Sequence, residues 1–298
     1  MPELPEIEAY LAALRPRVLD AELERVRVQS FSLLRTFDPP IDTVHGKRVI
    51  ALRRLGKRIV FGLEDDLFLV LHLMVAGRLH WFDEKGKALQ RKYGLAAFDL
   101  STGTLTLTEA GTKRRASLHV VRGDEGVAAL DPGGIEIAES TQDEFARALT
   151  AERHTLKRAL TDARYLSGIG GALADEIMHR AKLSPLQMNA NLGDDELRRL
   201  HEAAIELLAE WTQIRIAETG EGFPEKVTAF HPQMAVHGKY GEPCPVCGAP
   251  VQRIVYAARE TNYCPGCQTG GKILADRSLS RLLKDDWPQT LDELEGES

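Results

Sequence analysis

An amine and two carboxylates occupy the first six positions of the chain, which read Met1-Pro2-Glu3-Leu4-Pro5-Glu6. The initiator methionine is usually removed when a small residue such as proline follows it, which would leave Pro2 with a free secondary amine. An α-amino group has a pKa of roughly 7.7–8.0, so a good fraction of it is neutral and nucleophilic near neutral pH. Such an amine can attack a masked aldehyde and form a Schiff base, with Glu3 and Glu6 close by in sequence.

The same residues also fit an ordinary helix start. Proline is favoured in the first turn by its fixed φ angle, and glutamate there interacts favourably with the helix macrodipole. Apolar residues recur at helical spacing and predict a short helix over residues 2–13. The N-terminal motif alone leaves both interpretations open, and the remaining segments decide between them. The apolar residues at this helical spacing are Leu4, Ile7, Leu11 and Leu14.

All four cysteines lie in one short segment, as two C-x2-C pairs separated by sixteen residues. Each pair lets two thiolates converge from a tight turn, and a hairpin between the pairs would complete a tetrahedral zinc site. Two disulfides are the competing interpretation, and a reducing cytoplasm with no export signal disfavours them. Because four protein ligands close the coordination sphere, we expect one structural Zn²⁺. Its expected ligands are Cys244, Cys247, Cys264 and Cys267.

Length and composition are those of a globular protein with two or more domains. The chain has 298 residues, of which 43% are hydrophobic and 28% are charged. No apolar run approaches the ~20 residues that a membrane-spanning helix needs. No signal peptide is visible at the N-terminus, which carries early acids. We therefore expect a cytoplasmic protein that binds no membrane.

The formal net charge of −6 is concentrated at the C-terminal end. The last fourteen residues contain six acids and neither lysine nor arginine, so these six acids equal the whole net charge. The remaining body is formally neutral but contains basic clusters. Because charge runs are usually solvated faces, the clusters alone say little about a nucleic-acid partner. They comprise Arg53, Arg54, Lys57 and Arg58, and then Lys113, Arg114, Arg115 and Arg122.

The pattern along the chain changes from strands to helices. Strand-like segments between tight turns fill residues 22–121 and predict a β-sandwich or barrel-like domain. Residues 123–134 read as a linker, and helices are expected after a capping box at Thr141-x-x-Glu144 and at about 152–164, 171–182 and 194–218. Residues 166–171, Leu-Ser-Gly-Ile-Gly-Gly, form a glycine-rich turn before a helix. The backbone N–H groups of such a turn can hold a phosphate, although a plain tight connection is the commoner role.

Taken in order, these pieces resemble the formamidopyrimidine-DNA glycosylase and endonuclease VIII family of base-excision repair enzymes. The resemblance covers about residues 2–268. It implies an α+β, multi-domain fold with an N-terminal β-sandwich and N-terminal helix, a helix-two-turn-helix domain and a C-terminal zinc ribbon. The expected domains are a catalytic β-sandwich (2–130), a helix-two-turn-helix DNA-binding domain (131–225), a zinc-ribbon module (226–268) and a C-terminal extension with an acidic end (269–298).

The resemblance also implies roles for single residues. Pro2 matches the family's catalytic amine, Glu3 the carboxylate that assists ring opening and proton transfer, and Glu6 a supporting carboxylate. Lys57 in Leu55-Gly56-Lys57 matches the catalytic lysine, which can hold the phosphate beside the reacting sugar. The implied DNA contacts are His72, the helical-turn residues Gly168, Gly170 and Gly171, Lys239 at the ribbon entry, and Arg259 on the ribbon hairpin.

Several positions depart from the family's pattern. Gly171 stands where the family usually has an asparagine, and Val75 stands where it has a methionine that fills the void left by the extruded base. The segment that supplies the family's intercalating Arg and Phe has no Phe within residues 109–117. Arg114 or Arg115 could contact the orphaned base. Residues 216–230 also look shorter than the loop that covers 8-oxoguanine in the purine-directed branch.

The sequence therefore predicts a bifunctional DNA glycosylase and abasic-site lyase with one structural zinc. Its expected partner is double-stranded DNA containing a damaged base or an abasic site, and we expect a monomer that is cytoplasmic and nucleoid-associated. A catalytically inert protein that binds damaged or branched DNA on the same scaffold is the alternative. A general zinc-ribbon factor for RNA or protein would leave the N-terminal motif unexplained.

Overall fold

The computed structural model of the chain describes residues 1–111, 113–225, 227–256, 259–275, 290 and 293. It divides into two compact units, one comprising Met1–Gly133 and Ala209–Ala229, the other Gly134–Leu208 and Phe230–Ser298. The predicted boundary at 225/226 does not coincide with this division. The reason is apolar packing within the first unit, where Phe223 lies 5.7 Å from the Tyr10 ring and Val227 joins the core. The zinc ribbon groups with the helices rather than forming a unit of its own.

The first unit is built on an eight-stranded antiparallel sheet with the order β5-β7-β6-β1-β2-β3-β4-β8. Tight turns connect neighbours such as β2 and β3, which pair from Leu55 opposite Arg58. The strand pattern predicted for residues 22–121 is thereby confirmed. The strands are β1 Glu22–Val28, β2 Lys47–Leu55, β3 Arg58–Leu63, β4 Leu67–His72, β5 Gly77–Phe82, β6 Gly94–Leu100, β7 Gly103–Glu109 and β8 Ser117–Arg122.

The core of this unit lies between the two halves of the sheet. Alternate residues of β3 and β4 point inward, as period-2 strands require, and meet residues of β6 and β7. Phe61 of β3 and Phe98 of β6 stack with ring centroids 6.4 Å apart. This face-to-face packing is that of a sandwich.

Helix α1 (Leu4–Val18) begins two residues after the start of the predicted helix 2–13 and ends five residues after its predicted end. Its apolar side contributes Ile7, Leu11 and Leu14 to the sandwich core. Glu3 is its N-cap and Glu6 completes a capping box. The packing of this side against the sheet sets the position of the N-terminus.

The second unit contains the helices and the ribbon. The capping box is confirmed, since Glu144 accepts a hydrogen bond from the Thr141 N–H at 2.8 Å. Its elements are α3 Gln142–Thr150, α4 Leu156–Leu160, α5 Gly171–Arg180, the first part of α6 Asp194–Thr219, the hairpin β9 Gln252–Tyr256 and β10 Arg259–Tyr263, and the short helix α7 Pro265–Gln268.

Two smaller expectations were wrong. Part of the predicted linker at 123–134 is helix α2 (Gly123–Ala128), which buries Val127 against Val60 and Val70 on the outer face of the sheet. The helix expected at 152–164 is limited to α4, Leu156–Leu160.

Most of the predicted extension over 269–298 falls outside the described residues, which include only 269–275, 290 and 293 of this range. In the part of the chain that is described, no helix combines the length and apolarity needed to cross a membrane.

Candidate functional site

The start of the chain is buried, with Pro2, Glu3 and Glu6 all enclosed. The terminal amine, carried here by Met1, has its pKa lowered chiefly by burial. Glu3 and Glu6 raise that pKa by their charge, whereas Arg78 and Lys57 lower it. The fold thus brings the terminal amine into the electrostatic range of Glu3, Glu6 and Lys57.

Glu6 is held at both of its carboxylate oxygens. Oε2 accepts a hydrogen bond from the Glu3 N–H at 2.8 Å, and Oε1 accepts one from Nε of Arg215 at 3.1 Å. Burial and the nearby charge of Glu3 raise the pKa of Glu6, and Arg215 opposes that rise. Arg215 also donates to the backbone oxygen of Thr228 at 2.8 Å. Its role was missed because a helical arginine far along the chain carries no signal for a partner in α1.

Lys57 occupies the turn between β2 and β3. Burial lowers the pKa of its ammonium group, with the charge of Glu3 acting in the opposite direction. His72 at the end of β4 pairs with Arg58 on one side and Ser117 on the other. Burial and nearby cations lower the pKa of His72 to about 4, so this imidazole is neutral at physiological pH. Its Nε2 has no hydrogen-bond partner among the described residues.

The turn between β4 and β5 presents Val75 to solvent, 57% exposed. Met74 has a φ of 54°, a left-handed conformation that costs a non-glycine residue energy. Arg78 braces the turn by donating to the backbone oxygens of Val75 at 3.2 Å and Gly77 at 2.7 Å. A Cβ on Gly77 would lie 2.2 Å from the Leu73 oxygen, so only glycine fits there.

The loop after β7 is organised by Glu109. Its buried carboxylate accepts hydrogen bonds from the N–H groups of Arg115 at 3.0 Å and Ala116 at 3.1 Å. Arg114 and Arg115 are both exposed. Arg114 donates through Nη2 to the backbone oxygen of Lys92 at 2.6 Å. The loop therefore displays two guanidinium groups without an aromatic side chain.

The glycine-rich turn leads directly into α5. Gly168 has a φ of 83°, which favours glycine, and Gly170 is the N-cap of the helix. Gly171 is the first helical residue and is exposed, with open space around a notional Cβ. The three predicted glycines thus form one helix N-terminus, where backbone N–H groups can meet an anion.

The four cysteines converge as predicted from their spacing. The sulfur atoms of Cys247 and Cys264 lie 3.3 Å apart, and those of Cys244 and Cys267 lie 3.9 Å apart. A Cβ on Gly266 would come within 2.9 Å of the Cys247 sulfur, so a larger residue at position 266 would collide with this cysteine. None of the four forms a disulfide in this structure, which argues against the disulfide interpretation. Four convergent sulfurs are the donor set that tetrahedral Zn²⁺ prefers.

Comparison with known proteins matches three family models in order along the chain. These are the formamidopyrimidine-DNA glycosylase N-terminal domain over residues 1–117, its H2TH domain over 131–220, and a zinc finger found in FPG and IleRS over 241–270. A formamidopyrimidine-DNA glycosylase of Heliobacterium modesticaldum is 32% identical, over 90% of this chain and all of that protein. The chain belongs to the formamidopyrimidine-DNA glycosylase family.

Solved structures of the family have the same fold. The MutM (FPG) protein of Thermus thermophilus has a TM-score of 0.76 at 32% identity, covering 90% of this chain and 98% of that one. A MutM structure in complex with DNA containing carbocyclic 8-oxo-G has a TM-score of 0.78 at 25% identity, covering 90% of this chain and all of that one. The chain is accordingly a DNA glycosylase of base excision repair with one structural zinc, and the predicted fold class is confirmed.

Two further family positions lie on the ribbon. Lys239 forms an ion pair with Glu242 at 2.9 Å. Arg259 begins strand β10, and its side chain lies outside the described residues. A histidine that the sequence reading missed, His179 of α5, places Nε2 3.3 Å from the Cys244 sulfur. His179 follows Asp175 by four residues and Glu176 by three, which places the three side chains on one face of the helix. This spacing is the only signal in the sequence for a shared role.

Proposed function

We propose that this DNA glycosylase is bifunctional, removing a damaged base and then cleaving the strand through a Schiff base on Pro2. The observation that carries the proposal is the burial of the N-terminus beside Glu3, Glu6 and Lys57. Burial lowers the pKa of the terminal amine and so increases its neutral fraction at pH 7. After removal of Met1, the same surroundings would act on the secondary amine of Pro2.

The reaction begins with attack of the Pro2 nitrogen on C1′ of the damaged nucleotide. The bond from C1′ to the base breaks, and its electron pair leaves with the base, which takes up the proton that the Pro2 nitrogen loses. Glu3 then protonates the sugar ring oxygen as the ring opens. The product is an iminium ion at C1′, whose positive charge acidifies the C2′ proton. Loss of that proton pushes electrons toward C3′ and expels the 3′ phosphate by elimination. Lys57 would hold the phosphate beside the reacting sugar by its charge.

The substrate class we infer is duplex DNA with a damaged base or an abasic site. The structurally similar MutM protein was solved on DNA containing a carbocyclic 8-oxo-G, which supports this class. The damaged nucleotide must leave the stack to reach a buried amine, and a weakened pair lowers that cost. The site of action follows from the substrate, namely the nucleoid in the cytoplasm.

We further infer that lesion preference differs from the purine-directed branch of the family. Val75 is smaller than the void-filling methionine, and the loop after Glu109 carries arginines without a phenylalanine. Smaller side chains at the positions that fill the void left by the extruded base suit oxidised pyrimidines, abasic sites or bulkier adducts. A panel of duplexes with different lesions tests this inference, and strict preference for 8-oxoguanine opposite cytosine would contradict it.

The first experiment traps the Schiff base. The Met-trimmed protein is incubated with duplex DNA containing an abasic site, borohydride is added, and a denaturing gel is examined for a covalent complex. We expect a band whose cross-linked peptide maps to Pro2, loss or strong weakening of the band in Pro2→Gly, and a normal band in Pro5→Ala, which alters a neighbouring proline. DNA binding without any trapped complex would contradict the Schiff base on Pro2.

A further inference from the structure

One face of helix α5 contacts the ribbon through three buried polar side chains. Glu176 accepts hydrogen bonds from the backbone N–H groups of Ala235 at 2.8 Å and of Val236 and His237 at 2.9 Å. These three N–H groups belong to the segment that leads into the first cysteine pair. The carboxylate therefore fixes the entry of the ribbon onto the helix.

Asp175, fully buried, holds the second side of the ribbon. Its Oδ2 accepts hydrogen bonds from Nδ1 of His237 at 2.8 Å and from the backbone N–H of Asn262 on β10 at 3.2 Å. Its Oδ1 lies 2.8 Å from Nζ of Lys157, which also donates to the backbone oxygen of Glu260 at 2.7 Å. Helix α5 therefore forms hydrogen bonds with both the entry segment and the hairpin of the ribbon.

His179 extends the same face to the metal site itself. It lies one turn after Asp175 and is only 5% exposed, and its Nε2 is 3.3 Å from the sulfur of Cys244. Its ring nitrogen lies within 4.8 Å of the sulfurs of Cys244, Cys264 and Cys267. A thiolate is only an acceptor, so the contact with a metal-bound Cys244 requires the proton on Nε2.

We propose that His179 is a positioning residue of the zinc site, donating its Nε2–H to the thiolate of Cys244 and tying the metal to helix α5. Four thiolates around one Zn²⁺ carry more negative than positive charge, and a buried site of this kind gains from a hydrogen-bond donor. His179, Cys244, Cys264 and Cys267 place their ligand atoms within 4.8 Å of one another, and the sulfur of Cys247 lies 3.3 Å from that of Cys264. Because the four sulfurs are enough for a tetrahedral shell, we assign His179 as a donor to the shell and not as a ligand. Groups that hydrogen-bond to metal ligands typically change metal affinity by about 10–100-fold when removed.

The test measures zinc release from the full chain to a colorimetric chelator. His179→Phe keeps the ring and removes the donor, and we expect zinc release about 10-fold faster or more. His179→Gln keeps a side-chain N–H donor and should release zinc at nearly the wild-type rate. The matched control is His201→Phe, the same change at a histidine of α6 that is 7% exposed. Its Nε2 lies 3.2 Å from the Ser140 hydroxyl, and its ring stacks on Phe145. This control should leave zinc release unchanged.

Two outcomes would overturn the proposal. Wild-type zinc release by folded His179→Phe would show that the contact has no effect on the metal, and His179→Leu replaces that variant if it does not fold. Cobalt substitution gives the second readout, since the visible bands of Co²⁺ differ between four sulfur ligands and three sulfurs with one nitrogen. We expect superimposable bands for wild type and His179→Phe. A shift of the bands would make His179 a ligand rather than a hydrogen-bond donor.

Discussion

Arg215 and Glu6 form a buried ion pair across 209 positions of sequence, with Nε and Oε1 3.1 Å apart. Each side chain is only 9% exposed. The pair joins the C-terminal part of α6 to the first turn of α1, within the unit that contains the terminal amine. Because Glu6 also accepts the N–H of Glu3, the arginine indirectly sets where the start of the chain lies.

Replacing Arg215 with methionine should destabilise the first unit by about 3–5 kcal/mol at neutral pH, because it leaves a buried carboxylate without its partner. The pKa of Glu6 is already raised by burial, and loss of Arg215 raises it further. A carboxyl group whose pKa is higher in the folded protein than in the unfolded chain stabilises the fold at pH values below its unfolded-state pKa. That stabilisation is lost as the pH rises through its folded-state pKa. The defect should therefore be small below pH 4.5, the reference value for Glu6, and full at neutral pH. Urea unfolding at several pH values measures it.

The double variant Arg215→Met/Glu6→Gln provides the control for this prediction. A neutral glutamine needs no cation, so the double variant should recover much of the stability lost by Arg215→Met alone. Equal stability of the single and double variants at neutral pH would show that the ion pair is not the source of the defect.

The charge of Arg78 should set the pH dependence of Schiff-base formation. Arg78 lowers the pKa of the terminal amine by its charge, in addition to the larger effect of burial. Arg78→Met removes a cation that disfavours the protonated amine, so the amine pKa should rise and the borohydride-trapping profile should move to higher pH. Arg78→Lys keeps the charge and should keep the profile near its original position. Arg25→Met, at an exposed arginine on β1, serves as the neutral control.

An unshifted profile for Arg78→Met would mean that Arg78 acts through the turn it braces rather than through its charge. Arg78 also holds the turn through its hydrogen bonds to the backbone oxygens of Val75 and Gly77. Loss of these hydrogen bonds should lower the amount of trapped complex at every pH without moving the midpoint of the pH profile.

Local patterns predicted the parts of the site that local chemistry determines. The cysteine spacing predicted the convergent sulfurs, because two C-x2-C turns and a hairpin leave few other arrangements. The glycine-rich segment likewise predicted the N-terminus of α5, and strand periodicity predicted the sheet that carries Lys57 and His72. In each case a single segment contains the information.

Contacts between distant segments could not be predicted in this way. Nothing in α6 distinguishes Arg215 from an exposed helical arginine, and its i, i+3 partner Glu218 suggests an ordinary surface pair. His179 is equally inconspicuous in the amphipathic pattern of α5. The linker prediction failed for the same reason, since α2 is stabilised by Val127 packing on Val60 and Val70 rather than by its glycine-bearing sequence.

Adding an asparagine at the N-terminus of α5 should strengthen DNA binding. Gly171 is exposed and a Cβ there meets no atom within 4 Å, so Gly171→Asn fits without strain. Its amide could donate one hydrogen bond to a phosphate, worth about 0.5–1.5 kcal/mol, which corresponds to roughly 2- to 12-fold in Kd. Fluorescence anisotropy with a duplex containing a stable abasic-site analogue measures the change.

Gly193→Asn is the matched control for that variant. Gly193 also has open space around its Cβ position and precedes a helix, but α6 begins with the acids Asp194, Asp195 and Glu196. An acidic helix start repels phosphate, so this substitution should not tighten binding. Equal gains from both substitutions would indicate a general effect on helix stability instead of a phosphate contact at Gly171.

The two arginines of the loop after β7 should contribute unequally to DNA binding. Arg114 already donates to the Lys92 oxygen, whereas the exposed guanidinium of Arg115 makes no hydrogen bond to a described residue. If Arg115 contacts a phosphate, Arg115→Gln should reduce the slope of log K against log salt by about 0.9, the value for one phosphate contact. If Arg115 instead contacts the orphaned base, Arg115→Gln should lower the affinity for duplexes that contain an abasic site and leave the slope nearly unchanged. Arg114→Gln should have a smaller effect on either quantity, and Arg25→Gln on neither. Wild-type affinity and slope for Arg115→Gln would remove this loop from the DNA-binding surface.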